Sequence, residues 1–150
     1  MRVVWRLASG RHPPLNGEGA RRVGGRWNSV GQAAVYTSES LALCLAESLV
    51  HLPEDLPRGY QSFKIFVPDD AIEVLDITLL IVGWQNDLTF TRNIGDQWLT
   101  TRRSLALVVP SVVLPESNNV LLNPMHSRAN ELRVRDQQPF TFDPRLRHAN

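Results

Sequence analysis

The sequence predicts a single α+β domain over residues 1–150, with more strand than helix. The chain has the usual length of one compact domain, short apolar runs recur along it, and two segments have the apolar spacing of a helix. With 43% hydrophobic and 21% charged residues, its composition is that of an ordinary globular protein. No repeat, low-complexity tract or linker divides the chain.

The predicted strands are short runs rich in branched and aromatic residues, several of them followed by proline. They cover residues 2–8, 33–37, 60–67, 72–76, 105–109, 118–123, 131–135 and 139–143. One helix is predicted from a cap at Thr37 or Ser38 to about His51, and a second over residues 91–103. Residues 9–32 are predicted to form a long loop, which in a compact domain indicates a functional or disordered segment.

The composition excludes several classes of protein. A single cysteine, Cys44, excludes an intrachain disulfide and favours a reducing compartment. The four histidines are scattered without metal-ligand spacing, so no metal site is expected. No apolar run approaches the length of a membrane span, and the N-terminal residues lack the apolar core of a signal peptide. We therefore expect a cytoplasmic protein that does not contact membranes.

The basic residues are almost all arginine and are concentrated near the N-terminus. Fifteen of the sixteen are arginine, with Lys64 as the single lysine, and residues 1–35 carry six arginines against one acid, Glu18. This concentration indicates an anionic partner, since arginine suits bidentate contact with phosphate or carboxylate. A GC-rich genome would explain the arginine excess as a whole equally well.

The stretch GGRWNSVGQAAVY, residues 24–36, is the first candidate for binding. Gly24 and Gly25 allow positive φ or a close approach of the backbone to a ligand, and Arg26 supplies forked donors for a pyrophosphate. Trp27 and Tyr36 offer flat rings for stacking. The alternative is a simple Gly-Gly turn with Trp27 in the core.

Glu47 is the second candidate, because it interrupts a helix that is predicted to be apolar nearly all round and largely buried. A carboxylate seldom occupies such a position without a partner. It is predicted either to face a cleft and stabilise developing positive charge, or to be partly exposed or paired with an arginine.

Further on, Ser111 follows a buried strand without a nucleophile-elbow motif, which favours hydrogen bonding over covalent catalysis.

In this order, the segments resemble the RES domain family, named for a recurrent arginine, glutamate and serine. The resemblance covers about residues 2–147 and maps these three onto Arg26, Glu47 and Ser111. It lies in Trp5-Arg6, GGRWN-x-x-G-x-x-x-VYTSES, L-x-x-x-E-x-L-V-H-L, GDQWL (95–99), SLALVVPSVV (104–113), NNVLLNP-x-H (118–126) and PFTFDPRL (139–146).

The resemblance implies a mixed, mainly antiparallel β core with flanking helices, similar to ADP-ribosyltransferases of the diphtheria-toxin type. It implies the bacteriostatic toxin of a type II toxin–antitoxin system, which depletes NAD by cleaving the nicotinamide–ribose bond through phosphorolysis or hydrolysis. NAD is then the substrate, inorganic phosphate the candidate co-substrate, and no prosthetic group is implied. The implied partner is an Xre-type antitoxin, which would supply any DNA contact. We expect this antitoxin to block the NAD cleft, since blocking entry is the most direct way to silence a toxin that acts on a small, abundant cofactor. A toxin homodimer or a higher complex with the antitoxin stays open.

The resemblance also implies roles for particular residues. Glu47 would stabilise positive charge on the ribose, Arg26 would hold the pyrophosphate, and Ser111 would orient the ribose or the attacking oxyanion. The residues expected to bind NAD are Arg6, Arg26, Trp27, Tyr36 and Asn119.

Two rival functions remain open from the sequence. The same fold could transfer ADP-ribose to a protein side chain instead of to a small acceptor. The arginines could instead form a non-catalytic nucleic-acid-binding module, although no helix-turn-helix, RNP motif or zinc finger is visible.

Overall fold

The fold is built on one seven-stranded sheet. The computed structural model describes residues 1–147, so the last three residues of the predicted domain lie outside the described residues. The strands are β1 Arg2–Ser9, β2 Val35–Ser38, β3 Tyr60–Val67, β4 Ile72–Val74, β5 Ala106–Pro110, β6 Asn118–Leu122 and β7 Arg133–Phe140. They are arranged in the order β4-β5-β6-β2-β1-β3-β7, in which β4 and β5 are parallel and all other neighbours antiparallel. This architecture confirms the predicted α+β fold with a mixed, mainly antiparallel core.

Three α-helices accompany the sheet in the described part of the chain: α1 Glu18–Val23, α2 Leu41–Leu49 and α3 Leu88–Thr101. Side chains cap the longer two. The Ser40 hydroxyl accepts a hydrogen bond from the Leu43 amide at the start of α2, and the Asp87 carboxylate accepts one from the Phe90 amide at the start of α3. No helix within residues 1–147 is long and apolar enough to cross a membrane.

Several predicted boundaries change for physical reasons. Residues 9–32 contain α1, a short helix with no buried residue and therefore no apolar periodicity to reveal it. Helix α2 is capped by Ser40, because Thr37 and Ser38 belong to β2 and pair with β6. The two strands predicted over 131–135 and 139–143 are the single strand β7. Its internal Pro139 is tolerated because β7 is the edge of the sheet and its outer side needs no backbone donor.

The expected burial of α2 is wrong. Leu43 and Cys44 are its buried residues, whereas Leu49 and the following Val50 are 40% and 61% exposed. The helix packs on β1 and β2 through its Leu43–Cys44 side and leaves much of its aliphatic face at the surface. Periodicity alone could not select between the two faces, since both are apolar.

The hydrophobic core lies on both faces of the sheet. On one face, Leu107 and Val109 of β5 and Leu121 of β6 pack with Trp98 and Leu99 of α3. The alternate residues of the same strands belong to a second cluster on the opposite face, with Val4, Val35, Phe63 and Ile65 among its members. Burial on both faces explains why β5 and β6 are continuous apolar runs in the sequence.

Gly95 provides a test of how tightly α3 is packed. A Cβ at Gly95 would overlap the backbone carbonyl of Trp27, whereas a Cβ at Gly19, the matched helical glycine of α1, would contact nothing within 4 Å. We expect Gly95→Ala to lower the free energy of unfolding by about 3 kcal/mol through overpacking. Gly19→Ala should leave it unchanged or raise it by up to about 1 kcal/mol, because alanine has the higher helix propensity. Equal stabilities of the two variants in urea denaturation would contradict the close contact.

Candidate active site

The predicted site residues surround a cleft made of two adjoining cavities. The first lobe has a volume of about 400 Å³ and the second about 380 Å³, which is the size range of small-ligand pockets. Both lobes are lined by Arg26, Tyr36, Glu47 and Asn119. Arg6 is found in the wall of the first lobe alone, and Trp27 in the wall of the second alone.

Glu47 is held at the boundary of the two lobes by one of its two oxygens. Its Oε1 accepts hydrogen bonds from the Ser111 hydroxyl, at 2.6 Å, and from the Asn119 side-chain amide, at 2.8 Å. Within residues 1–147, Oε2 accepts no hydrogen bond and no cation lies within ion-pair distance of the carboxylate. The residue is therefore not paired with any arginine that the structure describes. It is partly exposed, as the other alternative expects, and it lines both lobes with one carboxylate oxygen free of hydrogen bonds from the described chain.

Ser111 contributes to the site through Glu47. It follows β5, is fully buried and lines neither lobe. Its hydroxyl donates to Glu47 and accepts from the Leu114 amide at 3.0 Å, so its one donor is engaged within the protein. The direct contact of Ser111 with ribose or the attacking oxyanion stays a prediction.

Asn119 extends the same network into the sheet. While its amide group donates to Glu47, its Oδ1 accepts a hydrogen bond from the Ser38 hydroxyl at 2.7 Å. Ser38 and Asn119 are register partners on β2 and β6. The orientation of Glu47 therefore depends on residues from two central strands and from the turn after a third. Asn123, a neighbour of similar appearance in the sequence, instead donates to the Leu99 carbonyl in the core.

Arg26 lies in the glycine loop, residues 24–29, whose backbone is held by α3. The Thr91 hydroxyl donates to the Arg26 carbonyl at 2.6 Å, and Arg92 Nε donates to the Gly25 carbonyl at 2.8 Å. The Asp96 carboxylate accepts from the Ser29 amide at 2.9 Å. The Arg26 side chain is fixed separately, since its Nη1 donates to the Gln85 carbonyl at 2.7 Å.

The two aromatic candidates differ in their exposure. Trp27 is 2% exposed and its ring packs against Trp84 at a centroid distance of 5.9 Å, so it has no free face for stacking. This supports the alternative role of Trp27 as a core residue that backs the second lobe. Tyr36 lines both lobes, and its hydroxyl donates to Asn28 Oδ1 and accepts from the Trp27 amide. Tyr36 is thus the stacking candidate that remains.

Arg6 is buried with an unused donor. Its Nη1 donates to the Tyr36 carbonyl at 3.0 Å, while its Nε is buried without a partner in the described part of the chain. Burial lowers the pKa of the Arg6 guanidinium below its ordinary value, although the group stays protonated in proteins. An unpaired buried donor is costly unless a ligand or water completes its hydrogen bonding.

Three arginines line the cleft without forming an ion pair in the described chain. Arg6, Arg26 and Arg92 each donate to one backbone carbonyl, and none of them belongs to an ion pair within residues 1–147. By contrast, surface arginines such as Arg103 and Arg128 are paired with carboxylates. A concave site with three uncompensated guanidinium groups is suited to an anionic ligand.

The sequence did not reveal every residue of the cleft. Arg92 lines the second lobe, and Cys44, Tyr60 and Phe142 line the first. The predicted second helix includes Arg92, but the helix pattern does not indicate that the Arg92 side chain contacts the glycine loop. No group of three His, Cys, Asp or Glu side chains within residues 1–147 is arranged to hold a metal ion.

The buried phenol of Tyr36 should make the free energy of unfolding depend on pH in the alkaline range. Burial, the largest cause, raises the pKa of Tyr36 from 10.0 to about 12. Below pH 10.0 the phenol is protonated in both folded and unfolded states, and its contribution to stability is complete. Between pH 10.0 and about 12 only the unfolded chain loses the proton, so the free energy of unfolding should fall in this window.

Urea denaturation from neutral pH to about pH 12 measures this effect. The decline should be steeper in the wild type than in Tyr36→Phe, and Tyr60→Phe, which retains Tyr36, should keep the steeper decline. Parallel curves for wild type and Tyr36→Phe would contradict the assignment.

Comparison with known proteins identifies the family. The RES domain model matches residues 3–143. The chain is 37% identical over 152 residues to the Prs ADP-ribosylating toxin of Sphingobium sp. (strain YBL2), covering 95% of this chain and 94% of that protein. It is 36% identical over 153 residues to the Toxin Res of Photorhabdus laumondii, covering 96% of both.

A third relative is known from its structure as well as its sequence. The NAD(+) phosphorylase MbcT of Mycobacterium tuberculosis is 32% identical over 108 residues, which are 64% of this chain and 55% of that protein. The solved M. tuberculosis MbcT–MbcA toxin–antitoxin complex matches the fold with a TM-score of 0.76 at 22% identity, covering 93% of this chain and 84% of that one. With its matching domain model and its similar relatives, the chain belongs to the RES domain family.

Proposed function

We propose that this chain is a bacterial toxin that acts in the cytoplasm by cleaving the nicotinamide–ribose bond of NAD. The observation that carries the proposal is the free Oε2 of Glu47, located between two lobes whose three arginines have no acidic partner in the described chain. The names of the relatives support the substrate, since one is an NAD(+) phosphorylase and another an ADP-ribosylating toxin.

Glu47 is the catalytic residue in this proposal. Loss of nicotinamide builds oxocarbenium character on the ribose, and a nearby carboxylate stabilises that positive charge. Ser111 and Asn119 act as positioning residues, because their hydrogen bonds to Oε1 hold the carboxylate in place and leave Oε2 without a partner in the described chain. Holding the carboxylate before the substrate arrives avoids reorganisation during the reaction.

The arginines and Tyr36 orient the dinucleotide. Arg26, which lines both lobes, and Arg6, which lines the first, supply donors to the pyrophosphate. The Tyr36 ring provides the surface for nicotinamide, with Trp27 behind it in the core. No prosthetic group or metal is required by this chemistry.

The acceptor that we favour is inorganic phosphate. An oxygen lone pair of HPO₄²⁻ forms the new bond to the anomeric carbon, while the electron pair of the carbon–nitrogen bond passes to the nicotinamide nitrogen. Nicotinamide then leaves as a neutral molecule, and the proton stays on the phosphate group of the product, ADP-ribose phosphate. Water would give hydrolysis through the same site, with its proton lost to solvent.

Transfer of ADP-ribose to a protein is the second candidate, since the relative named for ADP-ribosylation is similar over 95% of this chain. The two candidates share the cleavage step and differ only in the acceptor. A non-catalytic nucleic-acid module is less favoured, because these arginines line a cavity of small-ligand size and not an extended basic face.

The first test is NAD consumption by the purified protein, measured as nicotinamide release and product mass with and without phosphate. We expect turnover that depends on phosphate and falls about 100-fold or more in Glu47→Gln, which removes the charge. The glutamine carbonyl can still accept from Ser111 and Asn119, so the free energy of unfolding should change by less than about 1 kcal/mol. Glu116→Gln, an exposed glutamate outside both lobes, is the matched control.

Other outcomes distinguish the candidates. Phosphate-independent release of ADP-ribose supports hydrolysis, and ADP-ribose found on protein supports transfer. Wild-type activity in Glu47→Gln would refute the catalytic role, and loss of the folded state would make the residue structural.

An antitoxin is the proposed partner, and the cleft is its proposed binding site. Large aliphatic side chains are exposed around the second lobe, and contiguous exposed apolar patches mark sites of protein contact. Those that line the lobe are Val50, Leu88 and Val113. The matching fold in a toxin–antitoxin complex supports such a partner, and we propose one of the Xre type that blocks the entry of NAD.

Competition tests this arrangement. The affinity of Glu47→Gln for NAD should be lost when the protein is saturated with its cognate antitoxin, since one cleft cannot hold both. Unchanged affinity for NAD in the complex, measured by titration calorimetry, would show that the antitoxin binds elsewhere.

A further inference from the structure

Arg92 occupies a position in the cleft that the reaction proposed above leaves without a role. It lies in the first turns of α3 and, like Arg26, lines the second lobe. Only its Nε is used, as a donor to the Gly25 carbonyl at 2.8 Å. Within residues 1–147, its two terminal nitrogens donate to no protein acceptor and no carboxylate pairs with it.

We propose that Arg92 and Arg26 together form a phosphate-binding subsite in the second lobe. The inference rests on the proposed NAD-cleaving function and extends it to a residue and a lobe without an assigned ligand. Its ligand is a phosphate group, which is supplied either by the inorganic co-substrate or by the pyrophosphate of NAD.

The backbone of the glycine loop is shaped to accept the Arg92 guanidinium. A Cβ at Gly24 would lie 2.7 Å from Nη2 of Arg92, and Gly24 has a φ of +74°, which other residues rarely adopt. The guanidinium therefore lies against bare backbone, with Nε anchored and the two terminal nitrogens left as a fork. A fixed fork of this kind suits bidentate contact with phosphate oxygens.

The surroundings of Arg92 strengthen the argument for an anionic ligand. Apart from the residues shared with the first lobe, the second lobe is mainly apolar, with Trp27, Leu88, Pro110, Val112 and Val113 in its wall. In such surroundings a guanidinium gains more from a charged acceptor than it would in open water. Arg26 adds the second cation, and its own anchor at the Gln85 carbonyl leaves its remaining donors available.

Because of the position of Glu47, the proposed subsite lies next to the reacting bond. It lines both lobes, so a ligand in the second lobe lies next to the carboxylate that would stabilise the ribose cation. If NAD occupies the first lobe with its pyrophosphate on Arg6 and Arg26, the phosphate on Arg92 is the acceptor. If NAD spans both lobes, Arg92 holds the pyrophosphate.

Steady-state kinetics and direct binding separate these sources. We expect Arg92→Gln to raise the KM of one ligand about tenfold or more, which is the loss of one charge-assisted contact. A rise confined to inorganic phosphate identifies the acceptor site, and a rise confined to NAD identifies a pyrophosphate site. Titration of NAD and of phosphate into Glu47→Gln, with and without Arg92→Gln, provides a readout that needs no turnover.

Two further variants separate a ligand contact from a loop effect. Arg11→Gln removes an exposed arginine outside both lobes and should leave both KM values unchanged. Thr91→Val releases the Arg26 carbonyl from α3 without removing a cation. If Thr91→Val reproduces the ligand-specific change of Arg92→Gln, then Arg92 acts only through the loop and the subsite is refuted.

The failure of this inference is distinguishable from that of the proposed function. Wild-type turnover of NAD with unchanged KM values and affinities in Arg92→Gln overturns the subsite alone. A folded wild type that neither consumes NAD nor binds NAD or phosphate overturns both.

Discussion

Helix α3 lies directly against the glycine loop because residue 95 has no side chain to keep the two backbones apart. The helix is itself fixed to the sheet through Trp98 and Leu99, so the loop inherits the rigidity of the core. Hydrogen bonds from Thr91 and Arg92 to loop carbonyls then set the orientation of the peptide units around Arg26. The cleft is thus built from a loop that behaves as part of a packed element, which is the arrangement that preorganised sites require.

The same construction places opposite charges close together without letting them pair. Glu47 uses one oxygen on neutral donors, and Arg6 and Arg26 each use one donor on a carbonyl. A direct salt bridge would neutralise both groups and fill the space between them. Keeping them apart costs stability, because partly buried charges and a buried unpaired donor are unfavourable. A bound dinucleotide would offset that cost, since it brings phosphate for the cations and a developing cation for the carboxylate.

The position of α2 at the wall of the cleft explains why one aliphatic face of this helix is exposed. Leu43 and Cys44 are enough to fix the helix on β1 and β2, and Glu47 must remain at the wall of the cavity. The aliphatic residues on the other side are therefore not needed by the core and stay at the surface beside the second lobe. Such a surface is stable in a folded protein but available to a partner.

The sequence by itself determined the α+β class and most strands, and it indicated Glu47 as a candidate for the site. β3 was predicted at its observed bounds, and Glu47 was found because a carboxylate within an apolar helix needs a reason. These features depend on local pattern, which the order of residues contains directly. The glycine-rich stretch indicated Arg26 and Tyr36, and both line the two lobes of the cleft. The family resemblance added Arg6 and Asn119.

Tertiary structure alone decided which face of α2 is buried, that residues 133–140 form one edge strand, and what each polar group contacts. Trp27 turned out to be a core residue, Ser111 a hidden support of Glu47, and Arg92 a member of the cleft. The physical reason is sequence separation: Ser111 is 64 positions from Glu47 in the sequence, and Arg92 is 67 positions from Gly25. Contacts across such distances are selected by how the sheet and α3 pack, and no local periodicity records them.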